Sequence, residues 1–367
     1  MKSNWSGLTK KAMVSLASIL ILSMMLLGCG NTSTGGSASG NIATIKVSHQ
    51  PEFESFMTYD GIQKKLDQKA GIKLELVYFD SGMPQISALP GHAWDVGATG
   101  CVPMLMAALR YNSYLIAVGD DESLANTVMA RADNPIFQTK NANGTYGNAD
   151  ELRGKNMLVT TVSGGHYTLV KYLQSIGLKE SDVKISNMEQ AQAVAAYDSG
   201  KGDAVTLWAP FNYTGLNKGW KIAASGQDVN ARTPILVLAD KTFADEHPDQ
   251  VVKFLDVYFQ GIDRMKSENT QLAGEYQEFL KSWGGMDISK EDAALDIKNH
   301  PVFNLKEQLA LFDNSKGKSQ IATWMNNVAD FFTQNGKFTE QENQTLQKDE
   351  YITDKFLKQL AEQKGIK

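Results

Sequence analysis

Residues 94–103 read WDVGATGCVP and hold three structural signals in ten positions. The run from Trp94 to Ala98 predicts a strand, and Thr99-Gly100 predicts a tight turn. Pro103 suits the first turn of a helix, because proline there loses no hydrogen bond. A strand that passes through a turn directly into a helix is the repeating unit of α/β folds.

The same unit repeats along the first part of the chain. Helical spacing over residues 56–69 ends at Gly71, which is a typical C-terminal cap. Strands are predicted at residues 44–47, 72–79, 94–98, 114–118 and 127–130. This alternation with short turns predicts an α/β layer with a mainly parallel sheet flanked by helices.

A second α/β unit follows the break at Asn134-Pro135, and a helical tail runs from Lys241 to Gln363. The strands of this second unit are predicted at residues 157–161, 183–185 and 203–208, and a last strand at residues 234–239 returns to the first unit. The resulting organisation is lobe one over residues 44–131 plus 235–367 and lobe two over residues 132–234. Two crossing strands near Arg131 and Pro234 then form a hinge.

The N-terminus predicts export and a lipid anchor. Three lysines precede an uncharged apolar run over residues 12–27, which is typical of a signal peptide. The run ends in Leu-Leu-Gly-Cys29, which resembles the lipobox of bacterial lipoproteins. We therefore expect a signal peptide over residues 1–28, lipidated Cys29 and a flexible Gly/Ser-rich linker over residues 29–43. An ordinary secretory signal with a chance cysteine is the alternative.

Composition excludes several classes of protein. Without the three lysines of residues 1–28, the 36 basic residues fall to 33 against 41 acidic ones, a net charge of about −8. An acidic chain of this kind argues against nucleic acid as a partner. The chain has 2 cysteines, so once Cys29 is lipidated Cys101 has no disulfide partner, and we expect it to be a buried apolar group.

The order of several motifs resembles the substrate-binding proteins of bacterial ABC importers, in the group for aliphatic sulfonates, taurine and nitrate. The motifs are Gln50-Pro51 after the first strand, residues 94–100, Val118-Gly119-Asp120-Asp121-Glu122, Ser163-Gly164-Gly165-His166, residues 177–183, residues 203–210 and residues 243–248. The resemblance implies a two-lobed periplasmic-binding-protein-like fold (type II) that closes on a small solute. It also implies delivery to an ABC permease and its ATPase from the extracytoplasmic face of the membrane. We expect a monomer without a cofactor.

Two alternatives to import remain open at this stage. A sensory accessory protein would share the fold and the pocket but present the solute to a receptor. An enzyme related to pyrimidine-precursor synthesis would need reactive side chains that converge on the pocket, for which only His166 and Cys101 qualify.

Four loops are predicted to bind the solute, because ligands of open α/β sheets lie beyond the carboxyl ends of the strands. Each loop leads into a helix and offers free backbone N–H groups to an anionic head group. The candidate residues come from these loops, with Glu122 and Trp208 added to them. They are Gln50, Glu52, Asp80, Ser81, Thr99, Gly100, Glu122, Ser163, Gly164, Gly165, His166 and Trp208. Ser81, Thr99 and Ser163 have an alternative role as helix caps, worth about 1 kcal/mol each.

Other candidates also have two interpretations. Trp208 either walls the ligand or belongs to the core. His166 either donates to an anion or faces solvent. Glu122 either binds an ammonium group or lies in a solvated acidic turn. The acidic residues beside Gln50 and Gly119 disfavour a bare inorganic anion such as nitrate and favour a zwitterion or a solute with a cationic end.

Catalytic and metal motifs are not convincing in this sequence. A nucleophile elbow needs G-x-S-x-G, but Thr161 occupies the first glycine position before Ser163. The five histidines are scattered without metal-ligand spacing, and residues 317–319 mimic only the end of a phosphate loop. We therefore predict a binding protein and not an enzyme, with no metal site.

Overall fold

The computed structural model describes residues 42–366, and within them the chain forms one compact unit that begins at Ile42. The predicted signal peptide, lipidated Cys29 and all but the last two residues of the predicted linker lie outside the described residues. No helix between residues 42 and 366 is long and apolar enough to cross a membrane.

Ten strands form two five-stranded sheets. In chain order they are β1 Ala43–His49, β2 Ile72–Tyr78, β3 Val96–Gly100, β4 Ser113–Asp121, β5 Thr127–Arg131, β6 Asn156–Val159, β7 Lys184–Asn187, β8 Ala204–Leu207, β9 Trp220–Ser225 and β10 Pro234–Asp240. The first sheet has the order β2-β1-β3-β10-β4, and the second has the order β7-β6-β8-β5-β9. The predicted two-lobed α/β fold is confirmed.

One strand in each sheet runs against the other four. β10 is antiparallel to both β3 and β4, and β5 is antiparallel to both β8 and β9. β5 is the first strand after the chain crosses into lobe two, and β10 is the first strand after it crosses back into lobe one. The predicted mainly parallel sheets are therefore mixed, because each crossing strand enters its sheet from the opposite lobe.

The predicted lobe boundary at residue 131 is wrong by one strand. β5 was expected in lobe one, but its ladders join it to β8 and β9 of the second sheet. The first crossing segment is therefore residues 122–126, and the second is residues 226–233 between β9 and β10. A strand prediction cannot assign a sheet, because pairing partners lie far away in the sequence.

Sixteen helices flank the sheets and form the tail. Their bounds are α1 Phe53–Gln63, α2 Leu66–Lys69, α3 Gly82–Ser87, α4 Cys101–Arg110, α5 Ala149–Leu152, α6 Gly164–Ser175, α7 Gln190–Asp198, α8 Phe211–Asn217, α9 Lys241–Glu246, α10 Pro248–Glu268, α11 Ala273–Gly284, α12 Lys290–Asn299, α13 Leu305–Phe312, α14 Gln320–Gln334, α15 Glu340–Leu346 and α16 Lys355–Lys364. From α9 onward, the chain forms helices and none of the named strands, as the sequence pattern predicts.

The helical tail packs on both lobes. The long helix α10 lies against α1, and α14 lies against α4, so most of the tail covers lobe one. The ring of Phe331 on α14 also packs against Tyr167 of lobe two, with centroids 4.6 Å apart. Lys337 forms an ion pair of 3.0 Å with Glu180 of lobe two. The tail thus bridges the two lobes as well as completing the first.

The central strands of both sheets are almost fully buried. β8 is buried at every position and β3 at all but Gly100, and both read as short apolar runs with small residues. Strands that are covered on both faces have this composition, because neither face meets water. The carboxyl ends of these strands face the other lobe and carry the loops described next.

Candidate functional site

A small cavity lies between the two lobes. Its lining comes from both lobes and from the first crossing segment: Gln50, Glu52, Gly82, Gly100, Pro103, Glu122, Asn126, Ser163, Gly164, Trp208 and Ile235. Its volume is about 30 Å³, well below the roughly 300–1,000 Å³ of typical ligand pockets. A larger solute therefore requires the lobes to move apart.

Seven of the twelve residues that the sequence predicts for the site line this cavity. They are Gln50, Glu52, Gly100, Glu122, Ser163, Gly164 and Trp208. The other five are Asp80, Ser81, Thr99, Gly165 and His166, and three of these adjoin lining residues in the chain. The loops therefore converge at one place, although each residue's contact with a solute stays a prediction.

Gln50 is held by a network behind the first strand. Its side-chain Nε2 donates to Gln85 Oε1 at 3.1 Å, and Gln85 in turn donates to Ser48 Oγ and to the Ala98 carbonyl. Trp94 Nε1 donates to the Gln85 carbonyl at 2.8 Å. Gln85 thus connects the loops after β1 and β3, so their positions at the cavity are fixed relative to each other.

A hydrogen bond joins the lobes across the cavity. The indole N–H of Trp208, in lobe two, donates to Glu52 Oε1, in lobe one. The Trp208 backbone N–H donates to Gln190 Oε1 at 3.1 Å, which holds the residue in place. Trp208 is only 6% exposed and also lines the cavity. It combines both predicted roles, because its ring is buried and one edge walls the site.

The hydroxyl residues at the helix starts do not share one role. Ser163 caps α6, since its Oγ accepts from the His166 backbone N–H at 3.1 Å. Ser81 and Thr99 cap nothing, and their buried hydroxyl groups have no hydrogen-bond partner. The cap alternative therefore holds for Ser163 and is wrong for Ser81 and Thr99. Unpaired buried hydroxyl groups are costly and point to a partner outside the chain.

Gly164 allows the start of α6 to approach the crossing segment. A Cβ atom at this position would lie 3.3 Å from Asn126 Nδ2 and 3.4 Å from Glu122 Oε2. Both distances are short for a side-chain contact, so a larger residue would push α6 away. The glycine therefore brings the backbone N–H groups at the start of α6 to the edge of the cavity.

Glu122 lies in the first crossing segment and is only 7% exposed. Its backbone N–H donates to the Thr233 carbonyl of the second crossing segment at 3.1 Å. Its Oε2 accepts from Asn126 Nδ2 at 2.6 Å. The interpretation as a solvated turn is therefore wrong for this residue. Glu122 is a buried carboxyl group at the point where both crossings meet.

Four buried carboxyl groups surround this region. Burial raises the pKa of Glu52, Glu54 and Asp120 well above the usual range, and repulsion from neighbouring carboxylates raises each of them further. Burial also raises the pKa of Glu122, to about 7, although His300 and the Asn126 bond oppose the shift. The groups cannot all ionise at low cost while so few cations are near.

The cation that partly balances them is His300, which the sequence did not single out. Burial lowers its pKa, but Asp296 and then Asp120 outweigh burial and raise the pKa to about 10. Its Nδ1 lies 3.0 Å from Asp296 Oδ1, and its ring stacks on Phe53 at 4.7 Å. At neutral pH the imidazole is therefore charged and faces the carboxyl cluster from the tail side.

Two of the predicted site residues, His166 and Asp80, lie away from the cavity. His166 is fully buried, which contradicts the alternative in which it faces solvent, and it does not line the cavity. Its Nδ1 accepts from the Val162 N–H, and its Nε2 lies 3.4 Å from Glu180. Asp80 lines a separate interlobe groove of about 460 Å³ with Tyr78. Cys101 is buried and free, as expected.

No group of three or more potential metal ligands occurs in the part of the chain that the structure describes. Carboxyl, amide, hydroxyl and indole groups line the cavity.

Comparison with known proteins assigns the family. The model of the NMT1-like family matches residues 56–275, which is more than half of the chain. The chain belongs to the NMT1-like family.

Relatives of this NMT1-like chain have names from solute import. A Brachyspira hyodysenteriae protein named as an ABC transporter periplasmic binding protein is 27% identical over 340 residues, which cover 90% of this chain and 94% of the relative. A Bacillus subtilis protein named for the binding of aliphatic sulfonates is also 27% identical, over 80% of this chain and 84% of its own length.

A solved structure shows the same fold. The periplasmic aliphatic sulphonate binding protein SsuA of Escherichia coli aligns with a TM-score of 0.64 at 19% identity, over 84% of this chain and 99% of its own. At this identity the likeness establishes the fold of the NMT1-like chain, whereas the chemistry of the site has to come from its own residues.

Several lining residues of the NMT1-like chain escaped the sequence analysis. Asn126, Gly82, Pro103 and Ile235 were not singled out, although all line the cavity. Gly82 belongs to the predicted loop of Asp80 and Ser81 but was not among the candidate residues, and Pro103 lies three residues beyond Gly100. Asn126 ends the first crossing segment and Ile235 follows the second, and the positions of both segments depend on strand pairing.

Proposed function

We propose that this NMT1-like chain is the extracytoplasmic solute-binding component of an ABC import system. It clamps a small organic anion or zwitterion between its lobes and delivers it to a permease and its ATPase. A lipid on Cys29 anchors the chain to the outer face of the membrane.

A cavity whose walls come from both lobes supports this function most directly. Glu52 of lobe one and Trp208 of lobe two meet across it through a hydrogen bond. Solute that contacts both walls binds the closed arrangement better than an open one, so it shifts the population towards closure. A permease can then distinguish loaded from empty protein by shape alone.

The names of the relatives support the same proposal. Both relatives above are named as binding proteins, and neither is named as an enzyme. The relative for aliphatic sulfonates suggests the first solutes to test. The unpaired hydroxyl groups of Ser81 and Thr99 supply donors for such a head group.

A thermal-shift screen tests the proposal. The panel contains taurine, short alkanesulfonates, aromatic sulfonates and carboxylates, nitrate, bicarbonate and thiamine precursors. A solute at 100 times its Kd adds about 2.7 kcal/mol to the free energy of unfolding. We expect one class to raise the Tm of the unaltered protein and to have no effect on Trp208→Ala.

Trp283→Ala is the matched control, because this tryptophan is 41% exposed and does not line the cavity. The control variant should keep the solute response. No response from any member of the panel, on protein shown to be free of solute, would contradict the proposed function.

A further inference from the structure

The ionisable residues that line the cavity are acidic, which is unusual for a site that binds anions. Glu52 and Glu122 are the ionisable residues that line it, and the lining contains neither lysine, arginine nor histidine. Glu54 and Asp120 lie behind them and add to the repulsion at Glu52. A bare anion in this place would meet carboxyl groups without a cationic side chain to offset them.

Two cations of the described chain, Arg232 and His300, are paired outside the cavity. Arg232 lies 3.0 Å from Asp121 and stacks over the ring of Trp324 at 3.9 Å. His300 is bound to Asp296 on the tail side of the carboxyl cluster. Neither lines the cavity, so neither is placed to receive an anionic head group there.

Acceptor atoms at the cavity lack donors. Asn126 is fully buried, and its Nδ2 is used on Glu122, while its Oδ1 has no hydrogen-bond partner. Glu52 accepts from Trp208 with one oxygen, and Glu122 accepts from Asn126 with one. A carboxylate oxygen pair offers about four acceptor sites, so both groups keep capacity for a further donor.

We propose that the solute carries a protonated amine, which lies between Glu52 and Glu122 and donates to Asn126 Oδ1. The inference rests on the proposed function, because it assigns the chemistry of the solute in that same cavity. A primary ammonium group has three N–H donors, which match these three acceptors. Charge-assisted hydrogen bonds of this kind are short and strong, and they pair carboxylates that would otherwise be buried without a cation.

Donor groups for the other end of a zwitterion also lie at the cavity. Gly164 and Gly165 begin α6, a helix of 12 residues whose first N–H groups face the cavity edge. Ser81 and Thr99 add unpaired hydroxyl groups beside the lining residues Gly82 and Gly100. An acidic group on the solute can bind these donors while its amine binds the carboxyl groups.

Matched pairs of solutes test the amine directly. The full-length chain, purified in detergent, is titrated by calorimetry with taurine and ethanesulfonate, and with β-alanine and propionate. Members of each pair share the acidic head group and differ in the amine. We expect at least one amine-bearing member to bind at least tenfold more tightly than its partner.

Equal affinity within the pairs, or tighter binding of the amine-free member, would overturn the inference while leaving the proposed function intact. Absence of binding by every member would count against both. The comparison uses unaltered protein, so it decides the question even if a variant fails to fold.

Two isosteric variants locate the amine. Glu52→Gln and Glu122→Gln should each weaken the amine-bearing member by at least tenfold and leave its amine-free partner unchanged. Glu246→Gln is the control, because Glu246 is exposed and does not line the cavity. It should alter neither affinity. An equal loss for both members of a pair would show a general effect on closure and would contradict the assignment.

Discussion

Ser163 in lobe two and Ser81 in lobe one each precede a helix near the cavity, yet their hydroxyl groups have different partners. Ser163 binds the backbone of its own helix, whereas Ser81 and Thr99 have no partner within the chain. The two lobes also differ in charge, since Glu52 and Glu122 lie outside lobe two, which contributes Trp208 and the start of α6. In the proposed mode of binding, lobe one and the first crossing determine which solute charge is accepted, and lobe two provides the closing surface.

The largest expected effect concerns His300, the cation that partly balances the buried carboxyl groups. His300→Gln should lower the free energy of unfolding by about 3–5 kcal/mol, because removal of one partner leaves buried carboxyl groups uncompensated. Chemical denaturation at pH 7 measures this loss.

His247→Gln is the control for that substitution, because His247 is exposed. It should change the free energy of unfolding by less than about 0.5 kcal/mol. If both variants lose the same small amount, the carboxyl cluster does not depend on His300.

The contribution of Glu122 to stability should fall as the pH rises from about 4.5 to about 7. The pKa of Glu122 increases from its model-peptide value of 4.5 to about 7 on folding, so the folded state retains a proton that the unfolded state has released. The free energy of unfolding is therefore lost over this interval, by about 3 kcal/mol for a shift of this size. The raised pKa values of Glu52, Glu54 and Asp120 act in the same direction.

Denaturation curves at several pH values measure the slope for the unaltered protein and for Glu122→Gln. The variant should have a flatter profile between pH 4.5 and 7. If the variant and the unaltered protein have the same profile of stability against pH, Glu122 is not a source of the pH dependence.

The contact between the lobes should have a smaller effect. Trp208→Phe removes the N–H that binds Glu52 and leaves a buried carboxyl group without this donor, which costs about 1–3 kcal/mol. Trp94→Phe should cost a similar amount, because it removes an indole donor buried within lobe one.

The two variants should differ in shape. Trp208→Phe should increase the radius of gyration of solute-free protein in X-ray scattering, whereas Trp94→Phe should not. An unchanged radius in both would show that the Glu52–Trp208 bond does not hold the lobes together.

The smallest expected effect distinguishes the hydroxyl group of Ser163 from that of Ser81. Ser163→Ala should cost about 1 kcal/mol, because it removes a helix cap. Ser81→Ala should leave stability unchanged or slightly higher, since its hydroxyl is buried without a partner in the free protein. Thermal unfolding without solute compares them, and an equal loss at both positions would contradict the difference between the two lobes.

Local sequence predicted the loops well for a physical reason. A loop such as Thr99-Gly100 lies between a strand and a helix that are adjacent in the chain, so periodicity and turn residues locate it. Seven predicted residues line one cavity because such loops meet at the carboxyl ends of the strands. The boundary at Arg131 was wrong because β5 pairs with β8 and β9, which lie about 70 to 95 residues further along the chain.

By itself, the sequence determined the α/β class, the two lobes, the loops of the candidate site and an excess of acid near them. All of these follow from residue type and from spacing along the chain. Tertiary structure decided which hydroxyl groups are free, that Glu122 is buried, and that His300, which directly follows α12 more than 170 residues away, faces the acidic cluster. Burial and the pairing of charges depend on contacts between distant segments, and those contacts form only when the lobes and the helical tail pack together.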